Sequence, residues 1–233
     1  MLLDVTDESA VRSAAAQVKE RLGQATLAGL VNNAGIAVAG PLLHLPLAGY
    51  HQLEVNLVAP LLVTQVFAPL LGTDRTRQGQ PGRIVNISSV GGKVGVPFLG
   101  AYVASKHGLE GMSESLRREL LLYGIDVIVI GPGSVATPIW DKAESADLNA
   151  YQGTEYAPIL DRFRKYFIAE GRKGLPPEEI GRVVHVALTT ARPKVRYAIV
   201  RQRLVNWTLP MLLPKRVLDK IIGKQLGLIG ART

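Results

Sequence analysis

Short runs rich in β-branched residues alternate along this chain with longer segments that have the periodicity of helices. We predict strands at residues 27–32, 83–88, 126–131 and 195–200, and interpret residues 1–5 as the end of another strand. Between them we predict helices over residues 6–21, 50–71, 101–123 and 176–189. Such alternation is typical of βαβ units, in which helices cover both faces of a parallel sheet. The sequence therefore predicts an α/β fold, a doubly wound parallel sheet, with residues 1–233 in a single domain.

The composition is that of a soluble chain with one apolar core. Hydrophobic residues make up 47% of the 233 residues, enough to bury one sizeable core. Cysteine is absent, which excludes disulfides and thiolate catalysis and favours a cytoplasmic location. The four histidines share no metal-ligand spacing, so we expect no metal site. We also expect no uncharged apolar stretch long enough to span a bilayer.

Most of the net charge of +8 lies in the last part of the chain. Residues 201–233 hold seven basic residues and one acidic residue, interleaved with apolar side chains such as Leu209, Val217 and Ile221. We favour a helix packed on the domain with a solvated basic face. The alternative is an amphipathic segment that makes peripheral contact with an anionic membrane. A nucleic-acid partner is not expected, because the rest of the domain has no basic stripe and only 6% of residues are aromatic.

Tyr102 and Lys106 lie four residues apart near the start of the predicted helix 101–123. Residues at this spacing share one face of a helix. A phenol has a pKa of about 10 and is a poor acid or base at neutral pH, but a nearby ammonium stabilises the phenolate and lowers that pKa. A surface tyrosine packed on the stem of a lysine has the same spacing, so the pair alone does not establish a catalytic site.

Three further features point to the carboxyl edge of the sheet, where doubly wound folds bind ligands. Ser89 follows a predicted strand and can hydrogen-bond a substrate oxygen together with the phenol. The motifs NNAG, residues 32–35, and PGSVATP, residues 132–138, end two other strands. Asn56 is a polar residue within an apolar helix, where it needs a hydrogen-bonding partner.

Together, DVTD, NNAG, Asn56, ISSVGG, the Tyr102 and Lys106 pair and PGSVATP resemble the signature of the short-chain dehydrogenase/reductase family. The resemblance covers nearly the whole chain and implies an oxidoreductase that interconverts an alcohol and a ketone or aldehyde. It implies that Tyr102 donates or accepts the proton, and that Lys106 lowers the pKa of the phenol and holds the nicotinamide ribose. Ser89 would polarise the carbonyl, and Asn56 would hold a water that links Lys106 to solvent.

The resemblance also implies a nicotinamide cofactor, NAD or NADP. Asp4 and Val5 would meet its adenine, and the adenosine side would meet Asn33, Ala34 and Gly35. The nicotinamide end would meet Tyr102, Lys106, Pro132, Gly133, Val135 and Thr137. By the same similarity we expect a homo-oligomer, a dimer or tetramer.

The start of the chain departs from the family pattern. The family begins with a strand, a glycine-rich TGxxxGxG turn, a helix and a second strand, whereas this sequence opens at what resembles the third strand. The resemblance therefore implies that the first two strands are absent, which leaves strand 27–32 at an unpaired edge. We favour a start codon assigned too late. The alternative is a truncated, catalytically silent domain that acts as a dimerisation or binding module.

Substrate choice is expected to depend on the excursion 137–172 and on the C-terminal segment, because loops at the carboxyl edge shape such pockets. Aromatic and apolar residues of the excursion can line a slot for a lipophilic alcohol or ketone; they are Ile139, Trp140, Tyr151, Tyr156, Phe163, Tyr166 and Phe167. The alternative is that they pack the excursion onto the core. The C-terminal part resembles the retinol- and steroid-oxidising branch of the family, which implies a retinoid-, steroid- or lipid-like substrate.

Overall fold

A parallel sheet lies at the centre of the structure, a computed structural model that describes residues 1–229. Its strands are β1 (Gly29–Asn32), β2 (Arg83–Ile87), β3 (Asp126–Pro132) and β4 (Arg196–Ile199), adjacent in that order. Val31 pairs with Val85, and Val85 pairs with Ile128. This arrangement confirms the predicted parallel α/β fold, and each strand lies within two residues of its predicted bounds.

The helices connect these strands and cover them. They are α1 (Glu8–Leu22), α2 (Ala59–Ala68), α3 (Gly100–Glu119), α4 (Ile139–Glu144), α5 (Ala157–Arg172), α6 (Pro177–Thr189), α7 (Leu209–Leu212) and α8 (Lys215–Leu226). α1 begins at Glu8 and is capped by Asp7, whose carboxylate accepts hydrogen bonds from the backbone N–H groups of Ser9 and Ala10 at 2.8 and 3.1 Å.

Both faces of the two central strands are buried, as a doubly wound sheet requires. On one face, Ile84 and Val127 pack against Leu71, which follows α2. On the other face, Val85 packs with Ala187 of α6. Side chains that alternate along each strand therefore enter separate cores, and most of the side chains in the centre of these strands are apolar.

Residues 1–5 form a turn and not the predicted strand. The Asp4 carboxylate accepts hydrogen bonds from the backbone N–H and the hydroxyl of Thr6, at 2.9 and 2.8 Å, and this local bonding leads directly into α1. Among the described residues, β1 is paired on one side only, with β2. The expected absence of two further strands stays a prediction.

α2 is the centre of a continuous helical stretch, Leu47–Thr73, which has a mean hydropathy of 1.7 over its most apolar window. By length and composition this stretch could cross a membrane, so the expectation that the sequence holds no such segment is wrong. It packs against α1, β1 and α3. These contacts are those of a helix that covers the sheet.

The predicted excursion 137–172 contains α4, α5 and the turns between them. Trp140, Tyr151 and Phe163 are buried, whereas Ile139 and Tyr166 are exposed. The buried aromatic residues lie in one cluster or contact it, so they attach the excursion to the loop that follows β2. Most of these aromatic residues therefore pack the excursion onto the core, as the alternative interpretation predicted.

Candidate active site

α3 carries Tyr102 and Lys106 on its inner face, one turn apart as predicted. The Lys106 side chain is buried, and its Nζ donates a hydrogen bond to the carbonyl of Ile87, the last residue of β2, at 2.9 Å. The same nitrogen lies 5.9 Å from the centre of the Tyr102 ring. The pair therefore lies at the carboxyl end of the central strands.

Ser89 reaches the same place from the loop that follows β2. Its Oγ accepts a hydrogen bond from the backbone N–H of Gly91 at 3.0 Å. A Cβ atom added at Gly91 would lie 3.4 Å from the Ser89 Oγ and 3.5 Å from the Tyr102 ring, so both groups border that glycine. The structure thus brings the predicted serine beside the predicted phenol.

Asn56 is the third predicted group at this edge, and it is fully buried. Its Oδ1 accepts from the backbone N–H of Ile36 at 2.9 Å, and its Nδ2 donates to the Ile36 carbonyl and to the Ser105 Oγ, at 2.8 and 3.0 Å. Both amide hydrogens are therefore used within the protein, and one lone pair of Oδ1 is left for the predicted water.

Burial changes the protonation of the central pair. It raises the pKa of Tyr102 above its usual range, and a hydrogen bond from the Ser89 side chain opposes that rise. Burial also lowers the pKa of Lys106 to about 8. The loss of hydration dominates the pKa of Tyr102, and the Lys106 ammonium bonds to the Ile87 carbonyl. That Lys106 lowers the phenol pKa stays a prediction.

An ion-pair network below the Ser89 loop was missed by the sequence reasoning. The Arg196 Nε donates to both carboxylate oxygens of Glu110 at 3.0 Å, and its Nη2 donates to the Ser89 carbonyl at 3.3 Å. Lys93 Nζ lies 3.4 Å from the same carboxylate. Glu110 follows Lys106 by four residues, so helical spacing alone could have placed it on the inner face of α3.

Asn86 is a second buried polar residue that the sequence reasoning missed. It accepts from the Asn32 Nδ2 and donates to the Ser113 Oγ, both at 2.8 Å. The hydrogen bonds among Asn32, Asn86 and Ser113 therefore link β1, β2 and α3. Its signal in the sequence was an asparagine at the centre of an apolar strand, where a polar group needs partners.

The sequence is similar to those of known proteins. The model of the short chain dehydrogenase family matches residues 1–148. The chain is 37% identical to the NADPH-dependent 3-dehydrocapnine reductase of Ornithobacterium rhinotracheale, over 97% of this chain and 80% of that protein. It is 33% identical to retinol dehydrogenase 5 of Mus musculus, over 95% of this chain and 71% of that protein. The chain belongs to the short-chain dehydrogenase family. As a member, it is an NAD(P)-dependent oxidoreductase.

Solved structures show the same fold as this short-chain dehydrogenase. One from Streptomyces avermitilis superposes with a TM-score of 0.74 at 24% identity, over 99% of this chain and 80% of that one. Another, from Burkholderia phymatum and in complex with NAD, superposes with a TM-score of 0.71 at 22% identity, over 94% and 74% of the two chains.

The predicted adenosine contacts border one cavity of about 140 Å³. Val5, Asn33 and Ala34 line it, together with Val55 and Pro60 from the helical stretch that contains α2. Apolar walls with a few polar groups suit the adenosine part of a dinucleotide. Asp4 does not line this cavity, because its carboxylate bonds to Thr6.

Gly35, which was predicted to meet the adenosine side of the cofactor, lies beside Asn56 and Lys106. A Cβ atom at Gly35 would lie 3.2 Å from the Asn56 Oδ1 and 3.6 Å from the Lys106 Nζ, so glycine keeps the space beside the catalytic pair open. Pro132 ends β3, and the residues after it include Gly133, whose N–H bonds to the Ile199 carbonyl at 2.9 Å. Val135 and Thr137 follow in the same loop. That Pro132, Gly133, Val135 and Thr137 meet the nicotinamide end of the cofactor stays a prediction.

Proposed function

We propose that this short-chain dehydrogenase interconverts a lipophilic alcohol and its ketone or aldehyde, with Tyr102 as the proton donor or acceptor. The observation that carries the proposal is the convergence of Tyr102, Ser89 and Lys106 at the carboxyl end of β2. A hydroxyl, a phenol and an ammonium at one point can hold a substrate oxygen and move a proton to or from it.

The proton chemistry follows from the protonation of these groups. The bound nicotinamide supplies or accepts the hydride at the substrate carbon. In the direction of reduction, the Tyr102 phenol gives its proton to the carbonyl oxygen, and its raised pKa keeps that proton available at neutral pH. Ser89 accepts from the Gly91 N–H, and its single hydroxyl hydrogen can bond the substrate oxygen in place of the Tyr102 oxygen.

Lys106 and Asn56 act around the phenol. We assign Lys106 to hold the nicotinamide ribose and to return a proton to Tyr102, since its Nζ lies between the ring and the open space at Gly35. Asn56 fixes the backbone at Ile36 through two hydrogen bonds and presents its remaining lone pair toward this space.

The surroundings of Tyr102 support a lipophilic substrate. The Tyr102 ring packs against the buried cluster of Phe98, Tyr151 and Phe163, so one side of the phenol ring is in an apolar environment. One relative, retinol dehydrogenase 5 of Mus musculus, is named for retinol, a lipophilic alcohol. An apolar wall favours substrates that bury hydrocarbon there.

A series of ketones of increasing hydrocarbon length tests this choice of substrate. We expect kcat/KM for NADPH- or NADH-dependent reduction to rise with chain length, because each buried methylene contributes about 0.8 kcal/mol. Phe163→Ala, which opens the apolar cluster, should flatten this dependence, whereas Tyr123→Phe, remote from the cluster, should preserve it. Preference for small polar ketones would contradict a lipophilic substrate.

A further inference from the structure

The C-terminal helical surface, formed by residues 204–226, exposes large apolar side chains. Leu204 and Leu212 have 65% and 75% of their surface exposed, and Val205, Leu209 and Met211 are exposed as well. Isolated exposed apolar residues are ordinary, but a run of them within one helical segment marks a surface that binds something.

α8 extends this surface with a face that is both apolar and basic. Its inner face buries Leu218. At 100° per residue, Val217, Lys220, Ile221 and Lys224 point away from the side that holds Leu218, Ile222, Gly223 and Leu226, and all four are exposed. The outer face of α8 therefore combines aliphatic groups with ammonium groups.

The charge of this segment is almost entirely positive. Residues 201–229 hold six basic residues, Arg201, Arg203, Lys215, Arg216, Lys220 and Lys224, and one acidic residue, Asp219. Within the described part of the chain, none of the six forms an ion pair. Their charges are therefore available to an anionic partner.

We propose that the C-terminal helical surface docks on the surface of an anionic lipid bilayer. Such a surface takes up aliphatic side chains below its headgroups and attracts lysine and arginine at the headgroup level, so it satisfies both features of the segment. A second copy of the chain fits less well, because a two-fold contact would place the same basic patch against itself.

The docking surface adjoins the substrate side of the enzyme. The Leu226 side chain, at the end of α8, packs in the aromatic cluster that contacts Tyr102. The Gln225 Nε2 bonds to the Tyr166 hydroxyl of α5 at 3.4 Å. Docking would therefore hold the aromatic cluster near the bilayer, so that a lipophilic substrate can pass between lipid and active site. That consequence depends on the proposed function, whereas the docking itself does not.

Vesicle sedimentation with the full chain tests the docking without reference to activity. We expect binding to vesicles of phosphatidylcholine and phosphatidylglycerol at a ratio of about three to one, and at least tenfold less binding to phosphatidylcholine alone. Raising the salt from about 0.05 M to about 0.5 M should release most of the protein. Equal binding to both vesicles, or binding to neither, would overturn the proposal.

Two variants and a matched control locate the contact. Changing Lys215, Arg216, Lys220 and Lys224 to Gln should reduce binding at least tenfold, whereas changing the exposed Arg12, Lys19, Arg21 and Arg118 to Gln removes the same charge elsewhere and should preserve it. Leu204→Gln with Leu212→Gln should also weaken binding at unchanged charge.

The same variants give results that would overturn the proposal. Equal losses in the control and in the α8 variant would show a general charge effect and no docking surface. Unchanged binding by the leucine variant would exclude the insertion of apolar side chains. Sedimentation velocity provides a further arm: a change of oligomeric state in the α8 variant would assign the surface to a second copy. Unchanged thermal unfolding confirms that each variant is folded.

Discussion

At the scale of single residues, burial moves the pKa values of the two central side chains in opposite directions. It raises the pKa of Tyr102 and lowers that of Lys106 to about 8, because a poorly hydrated site disfavours the charged form of each group. The phenol therefore keeps its proton at neutral pH, while the ammonium can release its proton just above neutrality. Because the pKa of Lys106 lies below that of Tyr102, the ammonium can return a proton to the phenolate after turnover.

The low pKa of Lys106 makes the stability of the protein depend on pH. Below about pH 8 the folded state carries a buried ammonium, and the loss of its hydration destabilises the fold. The unfolded chain does not bear this cost, because its lysine is hydrated and has a pKa of 10.5. That cost disappears as the pH rises from 8 toward 10.5. Relative to Lys106→Met, the wild-type free energy of unfolding should increase by about 3 kcal/mol across this window.

Urea unfolding of the two proteins at several pH values between about pH 7 and pH 10 measures this difference. The comparison cancels other groups that titrate in both proteins, so the part of the difference that changes with pH comes from Lys106 and its hydrogen bond to Ile87. A difference in unfolding free energy that stays constant with pH would show that Lys106 has an ordinary pKa.

Ser89 and Ser88 form a natural pair of test and control. The Ser89 hydroxyl is beside Tyr102, so Ser89→Ala should lower kcat about 100-fold with little change in cofactor affinity. Ser88 is buried, and among the described residues its Oγ has no hydrogen-bond partner. Ser88→Ala should therefore leave kcat within about twofold, since it removes no bond to the site. Equal losses in steady-state kcat from the two variants would contradict the assignment of Ser89.

At the scale of elements, the periodicity of apolar residues predicted the positions of the strands and of most helices. The strands and the helices α1, α3 and α6 lie where their apolar patterns placed them, because each pattern matches one buried face. The interpretation of residues 1–5 as the end of a strand was wrong, because this apolar run leads into a turn in which Asp4 bonds to Thr6. Asn56, Ser89, Tyr102 and Lys106 converge as predicted, while their catalytic roles stay predictions.

The ion pair between Arg196 and Glu110 could not be predicted from the sequence. These residues are separated by 86 positions, and only the packing of β4 near α3 brings them together. Arg196 also lies over the Trp207 ring at 4.4 Å, a contact between β4 and the C-terminal segment. Long-range contacts of this kind leave no periodic pattern, so the support of the Ser89 loop emerged only from the structure.

Breaking this buried pair should destabilise the fold. Arg196→Met leaves the Glu110 carboxylate, 4% exposed, without its main partner, which should cost about 3 kcal/mol in urea unfolding. Adding Glu110→Gln should recover part of that loss, because no charge is then buried alone. Arg182→Met is the control, since its pair with Glu179 is solvent-exposed and should leave stability unchanged. Similar losses in the two arginine variants would mean that the buried pair has no special role.

At the scale of the whole molecule, the candidate active site is buried, whereas the basic C-terminal helical surface is exposed. The sheet and α3 bury the reacting groups, whereas the C-terminal segment presents exposed apolar and basic groups to the outside. The aromatic cluster connects the two regions through Leu226 and Tyr102. The expected cytoplasmic location and the expected oligomer stay predictions, and the proposed membrane contact is compatible with both.

Transfer of deuterium from labelled NADPH or NADH to a lipophilic ketone tests the central claim most directly. With both hydrogens at the hydride-donating carbon replaced by deuterium, mass spectrometry of the product alcohol should find one deuterium per molecule for the wild type and for the control Tyr123→Phe. Tyr102→Phe should form almost no labelled alcohol while calorimetry shows cofactor affinity nearly unchanged, because the variant loses one hydroxyl and little packing. Labelled product formed at the wild-type rate by Tyr102→Phe, or unlabelled product from the wild type, would contradict this account.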